Sequence, residues 1–408
     1  MENRRRLTIN PSSIYVFLLI LSISLSIAYP IASFAITLYY LTIIAGVLCV
    51  VLNKQGLKIN RDRAAIFIPC LLNLLYCFVL YLNADKSIET TYGRFISTEI
   101  ITANMLLMTA LNNVEINNSK FEKYITLFGA AGILSTFIAF DKNTLLLAIS
   151  RVVRLNGTII NGNMYAMGMT VVALFLVHSI TSEKKLRIFK IAALLILFFL
   201  ISLTSSRTAL LTLFAGCVLY FYFISPSNKK VMRIIQIALG LVILLYFMSL
   251  FESTSAILDR IATLWARNDS AVANSDQSRW NLIRLGIEGW RQKPLFGQGF
   301  NSFNQRSSSV IGFSTYAHNN YVELLYNTGA IGLILHYLPK LILVIKLLNK
   351  VRIDKTNRFN CALLSSMIVL LMYDMAVVSY YYLSLNYIWI IGASYILRNS
   401  SGLYEHVG

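Results

Sequence analysis

Apolar runs of about the length of a membrane crossing dominate the chain. A helix needs about 20 mostly apolar residues to cross the hydrocarbon core of a bilayer. Because lipid offers no partner to exposed backbone groups, each crossing is expected to be helical. The candidate crossings are residues 14–29, 31–52, 64–82, 92–111, 121–140, 163–181, 187–204, 207–224, 231–250, 318–349, 360–380 and 383–397. The pattern predicts an all-α polytopic membrane protein with about 12 transmembrane helices.

One long polar segment, residues 251–317, separates the ninth predicted crossing from the tenth. It divides the chain into helices 1–9 (residues 1–250), a loop, and helices 10–12 with a tail (residues 318–408). Within the loop, residues 278–289 predict a short amphipathic helix, and the stretch PLFGQGF at 294–300 predicts a turn. The apolar side chains of the short helix are expected to lie on the membrane surface, namely Trp280, Leu282, Ile283, Ile287 and Trp290.

Composition agrees with this interpretation and narrows the partners. Hydrophobic residues make up 57% of the chain, charged residues only 13%, and the mean hydropathy is +0.64. A formal charge of +18 would favour nucleic acid as the partner of a soluble domain. Here the basic residues fall mostly in short loops between apolar runs, where they set orientation in the membrane. The expected surroundings are therefore membrane lipids, with no nucleic acid.

The distribution of lysine and arginine predicts the topology. If the arginines at 4–6 are inside, the short inner loops and termini hold 22 basic residues and the short outer loops hold 6. Cytoplasmic loops carry such an excess. Both termini are therefore expected in the cytoplasm, with the first apolar helix uncleaved and the 251–317 loop on the outer face.

No metal or cofactor site is predicted. The five cysteines all lie inside apolar runs, and the polar loop has none, so neither a disulfide nor a zinc-ligand spacing is present. The chain also lacks an Asp-x-Asp pair in the outer segments. We therefore expect the protein to use neither a metal nor a cofactor.

The candidate base is His318, which follows the polar loop where the tenth crossing begins. An imidazole at the boundary of water and lipid could accept a proton from a substrate hydroxyl. The alternative is that His318, Asn319 and Asn320 only cap a helix. A second candidate is His336, which would lie deeper on the same face if the helix were unbroken for those 18 residues.

Several arginines are predicted at the same outer face. Arg207 ends the sequence TSSR between the seventh and eighth crossings, and Arg154 precedes a loop rich in glycine and asparagine. Arg279 and Arg284 lie in the polar loop. Guanidinium groups bind phosphate bidentately and can stabilise a diphosphate leaving group without a metal. Each alone could be a solvated or snorkelling charge. Asp374, near the outer end of the eleventh crossing, could orient or pair with one of them.

At this point the sequence resembles a known family. The stretch HNNYVELLYNTGAIGL from His318 to Leu333 is similar to the signature of the bacterial O-antigen polymerase and O-antigen ligase superfamily. Arg279-Trp280 followed by PLFGQGFNSF, TSSR at 204–207, and RLNG at 154–157 through Asn163-Met164 are similar to segments that precede it in that family. The resemblance covers about residues 150–335. Gly162 departs from the family, in which many members have proline there.

The resemblance implies a glycosyltransferase of the bacterial inner membrane that uses glycans carried on undecaprenyl diphosphate at the periplasmic face. It implies that His318 is the general base and that Arg207 and Arg279 hold the diphosphate. Arg154, Arg284, Asn319, Tyr321, Glu323 and Asp374 are further candidates for substrate binding. A chain-length regulator and a flippase of the same pathway would be partners.

Three functions remain open. The first is a polymerase that joins lipid-linked repeat units of an O-antigen, capsule or exopolysaccharide, and the second is a ligase that transfers the finished glycan to lipid A-core. The polar loop carries seven basic and five acidic residues, a net of +2, which favours an uncharged acceptor and hence the polymerase. A flippase or other transporter of lipid-linked glycan ranks third, because transport sites are expected near the bilayer midplane.

Overall fold

The computed structural model describes residues 11–27, 33–52, 59–87, 89–111, 114, 116–139, 146–147, 162–249 and 270–398. Every regular element in these ranges is helical, which confirms the predicted all-α class. Arg154 and the loop after it, residues 251–269, and both chain termini lie outside the described residues.

Each predicted crossing overlaps a helix. The twelve helices concerned are α1 Pro11–Ser26, α2 Ser33–Val51, α3 Arg61–Leu82, α4 Glu89–Ala110, α5 Asn118–Ala139, α6 Gly162–Ser182, α7 Arg187–Leu203, α8 Arg207–Ile224, α9 Lys230–Ser249, α12 Asn320–Ile353, α13 Arg358–Tyr373 and α14 Leu383–Arg398. Two further helices, α10 Ser270–Gln292 and α11 Ser302–Ile311, lie in the polar segment, and a single 3₁₀ turn, Ser227–Lys229, precedes α9. The number of membrane crossings stays a prediction.

The helices identify a membrane protein by length and by surface. Four of them, α3, α6, α8 and α12, are long and apolar enough to cross a bilayer. Large apolar side chains also face outward, among them Phe17, Ile188 and Val231, which are 65%, 81% and 70% exposed. Water would make so much exposed apolar surface a site of aggregation, whereas lipid accommodates it.

The centre of the bundle is formed by α6, α13 and α14. Every residue of α14 from Leu383 to Leu397 is buried, and α6 and α13 are buried along most of their length. A helix that is apolar on all sides must be surrounded by other helices. The polar exceptions, such as Asn386 and Ser394, are hydrogen-bonded to neighbouring elements. The polar end of the molecule packs against these three helices.

Helix α12 is broken at Gly329, which has φ 67° and ψ −170°. The break admits the turn at 294–299: the backbone amides of Gln298 and Gly299 donate to the carbonyls of Tyr326 and Asn327 (2.7 and 3.1 Å). In return, the amides of Ala330 and Ile331 donate to the carbonyls of Pro294 and Leu295, at 2.9 and 3.2 Å. The prediction of an unbroken helix from His318 to His336 is therefore wrong, because the turn replaces the helix's own hydrogen bonds.

Helix α13 also ends earlier than the predicted crossing at 360–380. It stops at Tyr373, and the chain continues without helix to Leu383. Asp374 is the C-cap residue, not a residue inside the helix, and its backbone carbonyl accepts a hydrogen bond from the amide of Asn320 at 2.8 Å. The α13–α14 link is thus hydrogen-bonded to the start of α12. This explains why the apolar residues of the link do not extend α13.

Helix α10 includes the predicted amphipathic segment 278–289 and extends beyond it on both sides. Leu282 does not lie on the membrane surface: it is buried in a cluster with Phe303, Ala317, Val322 and Tyr326. Close packing requires small residues on α10, because a Cβ on Gly289 would lie 2.1 Å from the ring of Tyr326. Through this cluster, α10 is held directly against the first turns of α12.

Candidate functional site

His318 lies in the link between α11 and α12 with a left-handed backbone, φ 53°. This conformation is uncommon for a residue with a Cβ. Its ring lies 4.2 Å from the ring of Tyr316, centroid to centroid. The Nδ1 atom is buried and has no hydrogen-bond partner among the described residues. Buried polar atoms without a partner are uncommon in folded proteins, and a catalytic role is one explanation for such an atom.

The surroundings of His318 favour the neutral imidazole. Burial lowers its pKa, and the positive charge of Arg279 lowers it further, to about 4. The ring is therefore neutral at pH 7 and can accept a proton. Arg279 also acts electrostatically on Tyr373 at the end of α13, so the charge lies between α10, α13 and the His318 link.

Asn319, and not His318, caps α12. Its side-chain oxygen accepts a hydrogen bond from the amide of Val322 at 3.1 Å, as expected of an N-cap residue. Its Nδ2 donates to the carbonyl of Met375 at 3.1 Å. Tyr321 donates its hydroxyl proton to the carbonyl of Leu371 at 2.9 Å. Both side chains therefore fasten the start of α12 to the end of α13.

Asn320 and Asp374 form a fully buried polar frame beneath the His318 link. The Asn320 Oδ1 accepts from the amides of Ser379 and Tyr380 at 2.8 and 3.1 Å, and its Nδ2 donates to the Tyr337 hydroxyl at 2.6 Å. The Tyr337 hydroxyl donates in turn to Asp374 Oδ2 at 2.7 Å, and Asp374 Oδ1 accepts from Ser379 Oγ. The partners of Asp374 are thus hydroxyl groups. The cation that acts on it electrostatically is Lys340, not an arginine.

Glu323 is also fully buried, and it contacts the polypeptide on both sides. Its Oε2 accepts a hydrogen bond from the amide of Ala317 at 2.7 Å, and its Oε1 lies 3.4 Å from the guanidinium of Arg94 on α4. Arg94 was missed as a site residue in the sequence, because it is one of the six basic residues assigned to the short outer loops. The available signal was a charged residue one turn inside an apolar helix, a position that is usually functional.

Arg207 starts α8 at the same end of the bundle. The first turns of α8 pack beside the first turns of α6, where the hydroxyl of Thr170 donates to the carbonyl of Ala209 at 3.4 Å. The Tyr373 hydroxyl donates to the carbonyl of Asn163 at the start of α6. The beginnings of α6 and α8, the end of α13 and the His318 link therefore share one end of the molecule, called here the histidine end. Arg207 is half-buried there.

Arg284 faces elsewhere. It is exposed on α10, five residues from Arg279 and hence on a different side of the helix. It lines a groove of about 520 Å³ together with Trp280, Glu288 and Arg291. Arg154 lies outside the described residues. The structure thus brings Arg279 to His318 but places Arg284 along a separate groove.

His336 is enclosed within the bundle. Its Nε2 lies 2.9 Å from the Nζ of Lys340, which also donates to Asn386 Oδ1 at 2.9 Å. The cavity beside them is only about 20 Å³, about the volume that one water molecule needs. Because of the break at Gly329, His336 also lies on a different helical segment from the His318 link. A glycan could not reach this ring.

The comparisons bear on the same region. Residues 191–337 match the family model described as O-antigen ligase. The match includes Arg207, Arg279 and His318, and it confirms the resemblance to the O-antigen polymerase and ligase superfamily, whose members are membrane enzymes of the glycosyltransferase type. No curated protein matches the chain. The family match therefore supports lipid-linked glycans as the class of substrate.

Proposed function

We propose that the protein is a polymerase that joins undecaprenyl-diphosphate-linked oligosaccharide repeat units of an O-antigen, capsule or exopolysaccharide by metal-independent glycosyl transfer. The observation that carries this proposal is the neutral, half-buried imidazole of His318 under the charge of Arg279, inside the segment that matches the O-antigen ligase family. The imidazole of His318 can accept a proton, and the guanidinium of Arg279 can bind the negative charge that develops on the leaving group.

The proposed reaction is a single displacement at the anomeric carbon of the donor sugar. A ring nitrogen of His318 accepts the proton of an acceptor hydroxyl as its oxygen forms the bond to the anomeric carbon. The bond from that carbon to the diphosphate oxygen breaks, and the electron pair leaves with the lipid diphosphate. The configuration at the anomeric carbon is inverted.

Arg279 would serve both the leaving group and the base. A bound diphosphate partly neutralises the guanidinium, so the charge that depresses the pKa of His318 is reduced. The imidazole then becomes a stronger base when the donor is in place. Arg207, at the histidine end, would complete the clamp by a bidentate contact with phosphate oxygens. Arg154 and Arg284 remain candidates for contacts with more distant parts of the substrate.

The buried polar residues have a supporting role in this proposal. Asn319, Tyr321 and Asp374 hydrogen-bond α12 to the end of α13 and to the link after it, and Glu323 accepts a hydrogen bond from the amide of Ala317. Their hydrogen bonds to neighbouring elements favour this supporting role. They fix the ring that accepts the proton, which is the requirement for a base to act within hydrogen-bond reach.

The proposed setting is the bacterial inner membrane. We place the histidine end at the periplasmic face and both termini in the cytoplasm, because of the excess of basic residues in the opposite short loops. The 251–317 segment would then be periplasmic, between membrane domains 1–250 and 318–408. Donor and acceptor would both be lipid-linked glycans, and a flippase and chain-length regulator would act in the same pathway.

The break in α12 favours a transporter as the alternative, because transport sites lie at interrupted helices. The break at Gly329 is filled by backbone from residues 294–299, and the cavity beside Lys340 has room for about one water. Neither feature offers space for a glycan. The enzyme therefore remains the better candidate.

A deletion strain tests the polymerase against the ligase. We expect lipid A-core that carries one repeat unit, or only short units for a capsule. Bare core with long chains still on the lipid carrier would show a ligase. Repeat units trapped on the cytoplasmic side would show a flippase. Purified protein should retain transfer activity in EDTA, and its loss there would contradict metal independence.

A further inference from the structure

Arg94 is a charged residue on α4 that has no part in the proposed chemistry. It lies one turn inside α4, and only 14% of its side chain is exposed. Its Nη1 donates to Asn301 Oδ1 at 2.7 Å and lies 3.4 Å from Glu323 Oε1. The guanidinium lies over the ring of Tyr381, 4.6 Å from its centroid. These three partners are all buried, so this arginine is built into the protein.

The contact with Glu323 leads directly to the base. The Glu323 side chain is completely buried, and its second oxygen accepts the amide of Ala317 at 2.7 Å. Ala317 is the residue before His318, whose backbone is left-handed with φ 53°. A non-glycine residue stays in that conformation only when its surroundings hold it. The carboxylate of Glu323 therefore clamps one side of the strained link, while the cap residue Asn319 clamps the other.

The contact with Asn301 fastens the other end of α11. Asn301 is also left-handed, with φ 58°, and its Nδ2 donates to the hydroxyl of Thr91 at 2.9 Å. Phe300 meets Phe95 of α4 edge to face, with centroids 5.9 Å apart. One guanidinium thus joins the link before α11 to this turn of α4 directly, and the link after α11 through Glu323.

We propose that Arg94 is a positioning residue for the general base, acting through Glu323 and Ala317 on His318. A buried carboxylate without its cation is strongly disfavoured, so loss of Arg94 would turn the Glu323 side chain away towards water. The amide of Ala317 then loses its acceptor, and the His318 link relaxes from its strained backbone. This inference rests on the proposed role of His318, but Arg94 itself touches no substrate.

The test is a double-variant cycle with Arg94→Gln, Glu323→Gln and the combination of both. One measurement is independent of activity: the rate at which diethyl pyrocarbonate modifies His318 in purified protein, followed by mass spectrometry of the peptide that contains it. Each single variant should raise that rate about tenfold, the scale of coupling between contacting residues. The double variant should return toward wild type, because the neutral side-chain amide that replaces the Glu323 carboxylate can still accept from Ala317 and no buried charge is left unpaired.

The second measurement is steady-state transfer of glycan. Arg94→Gln should lower kcat by about a hundredfold, as a displaced catalytic group does, with much less change in KM, and the double variant should recover part of that loss. Arg306→Gln, an exposed arginine on α11, is the matched control and should change neither measurement. Arg94→Lys keeps the charge and should lie between wild type and Arg94→Gln, which preserves the test if the glutamine variant does not accumulate.

The outcomes separate this inference from the proposed function. If the two single variants act additively on the modification rate, or leave it unchanged, Arg94 does not position His318. If His318→Ala keeps full activity, the base has been assigned wrongly, whatever the cycle shows. Coupled modification rates with an active His318→Ala would confirm the Arg94–Glu323–Ala317 connection while refuting the general base.

Discussion

Gly329→Ala is the substitution that tests most directly how the histidine end is assembled. The residue has φ 67° and ψ −170°, a region essentially restricted to glycine. A Cβ there would lie 2.2 Å from the carbonyl oxygen of Leu295 and 2.6 Å from the amide nitrogen of Gly297. Both neighbours are backbone atoms, so no side-chain rotation can relieve the contact. The 294–299 turn would have to move away from α12.

The expected magnitude follows from two terms. A side chain in this backbone region costs on the order of 1–3 kcal/mol. Displacing the turn also weakens the hydrogen bonds from Ala330 to Pro294 and from Ile331 to Leu295, each contributing about 1 kcal/mol. The variant should thus lose about 3–5 kcal/mol, a large part of the roughly 5–15 kcal/mol that stabilises most proteins.

The assay is the temperature at which half of the detergent-solubilised protein remains monodisperse on size-exclusion chromatography. Gly329→Ala should lower it by more than about 5 °C. Gly240→Ala is the matched control: Gly240 lies inside α9 with nothing within 4 Å of an added Cβ, so this change should be neutral or slightly stabilising. If both variants behave alike, the break in α12 does not have the geometry described here.

Four further predictions concern the chemistry and the topology. His318→Ala should insert normally but lose about a hundred- to ten-thousandfold in transfer rate, measured with purified lipid-linked donor; full activity would return the imidazole to a structural role. Arg207→Lys and Arg279→Lys should both be damaging, because lysine keeps the charge but loses the bidentate fork; full activity with lysine would refute the clamp. In Arg279→Gln, removal of a positive charge makes protonation of His318 easier, so the pKa of His318 should rise from about 4. The acid limb of the pH profile of residual kcat/KM should therefore move to higher pH. An unmoved limb would contradict this coupling. Ser308 is exposed on α11, so the thiol of Ser308→Cys should react with a membrane-impermeant reagent in intact cells if the histidine end is periplasmic. Protection of this thiol would contradict the predicted topology.

The sequence predicts what depends on local pattern. Apolar length places a helix at every expected crossing, and the stretch from His318 onward marks the end of the bundle where the polar groups meet. Of the three residues considered as a helix cap, His318, Asn319 and Asn320, it is Asn319 that caps α12, and this function depends on the next three residues alone. Such features follow from neighbours in the chain, and a single sequence contains them.

The sequence could not predict the features that depend on contacts with distant parts of the chain. Glycine in an apolar run gives no sign that its helix will open, because the groups that fill the break in α12 come from the turn at 294–299. The pair of Arg94 and Glu323 joins residues 229 positions apart, and nothing local to either one points to the other. The early end of α13 has the same cause, since the backbone of Asp374 bonds to Asn320.

These contacts between distant parts of the chain bear on the pKa of His318. Two buried carboxylates, Glu323 and Asp374, are each engaged with other groups: Glu323 with Arg94 and the amide of Ala317, Asp374 with Tyr337 and Ser379. Neither is therefore placed to offset the charge that Arg279 exerts on the imidazole, and the pKa of His318 stays low. In the proposed reaction the missing negative charge arrives with the donor diphosphate. The protein would then keep its base weak until the leaving group is bound, so that an acceptor hydroxyl is activated only beside a donor that it can attack.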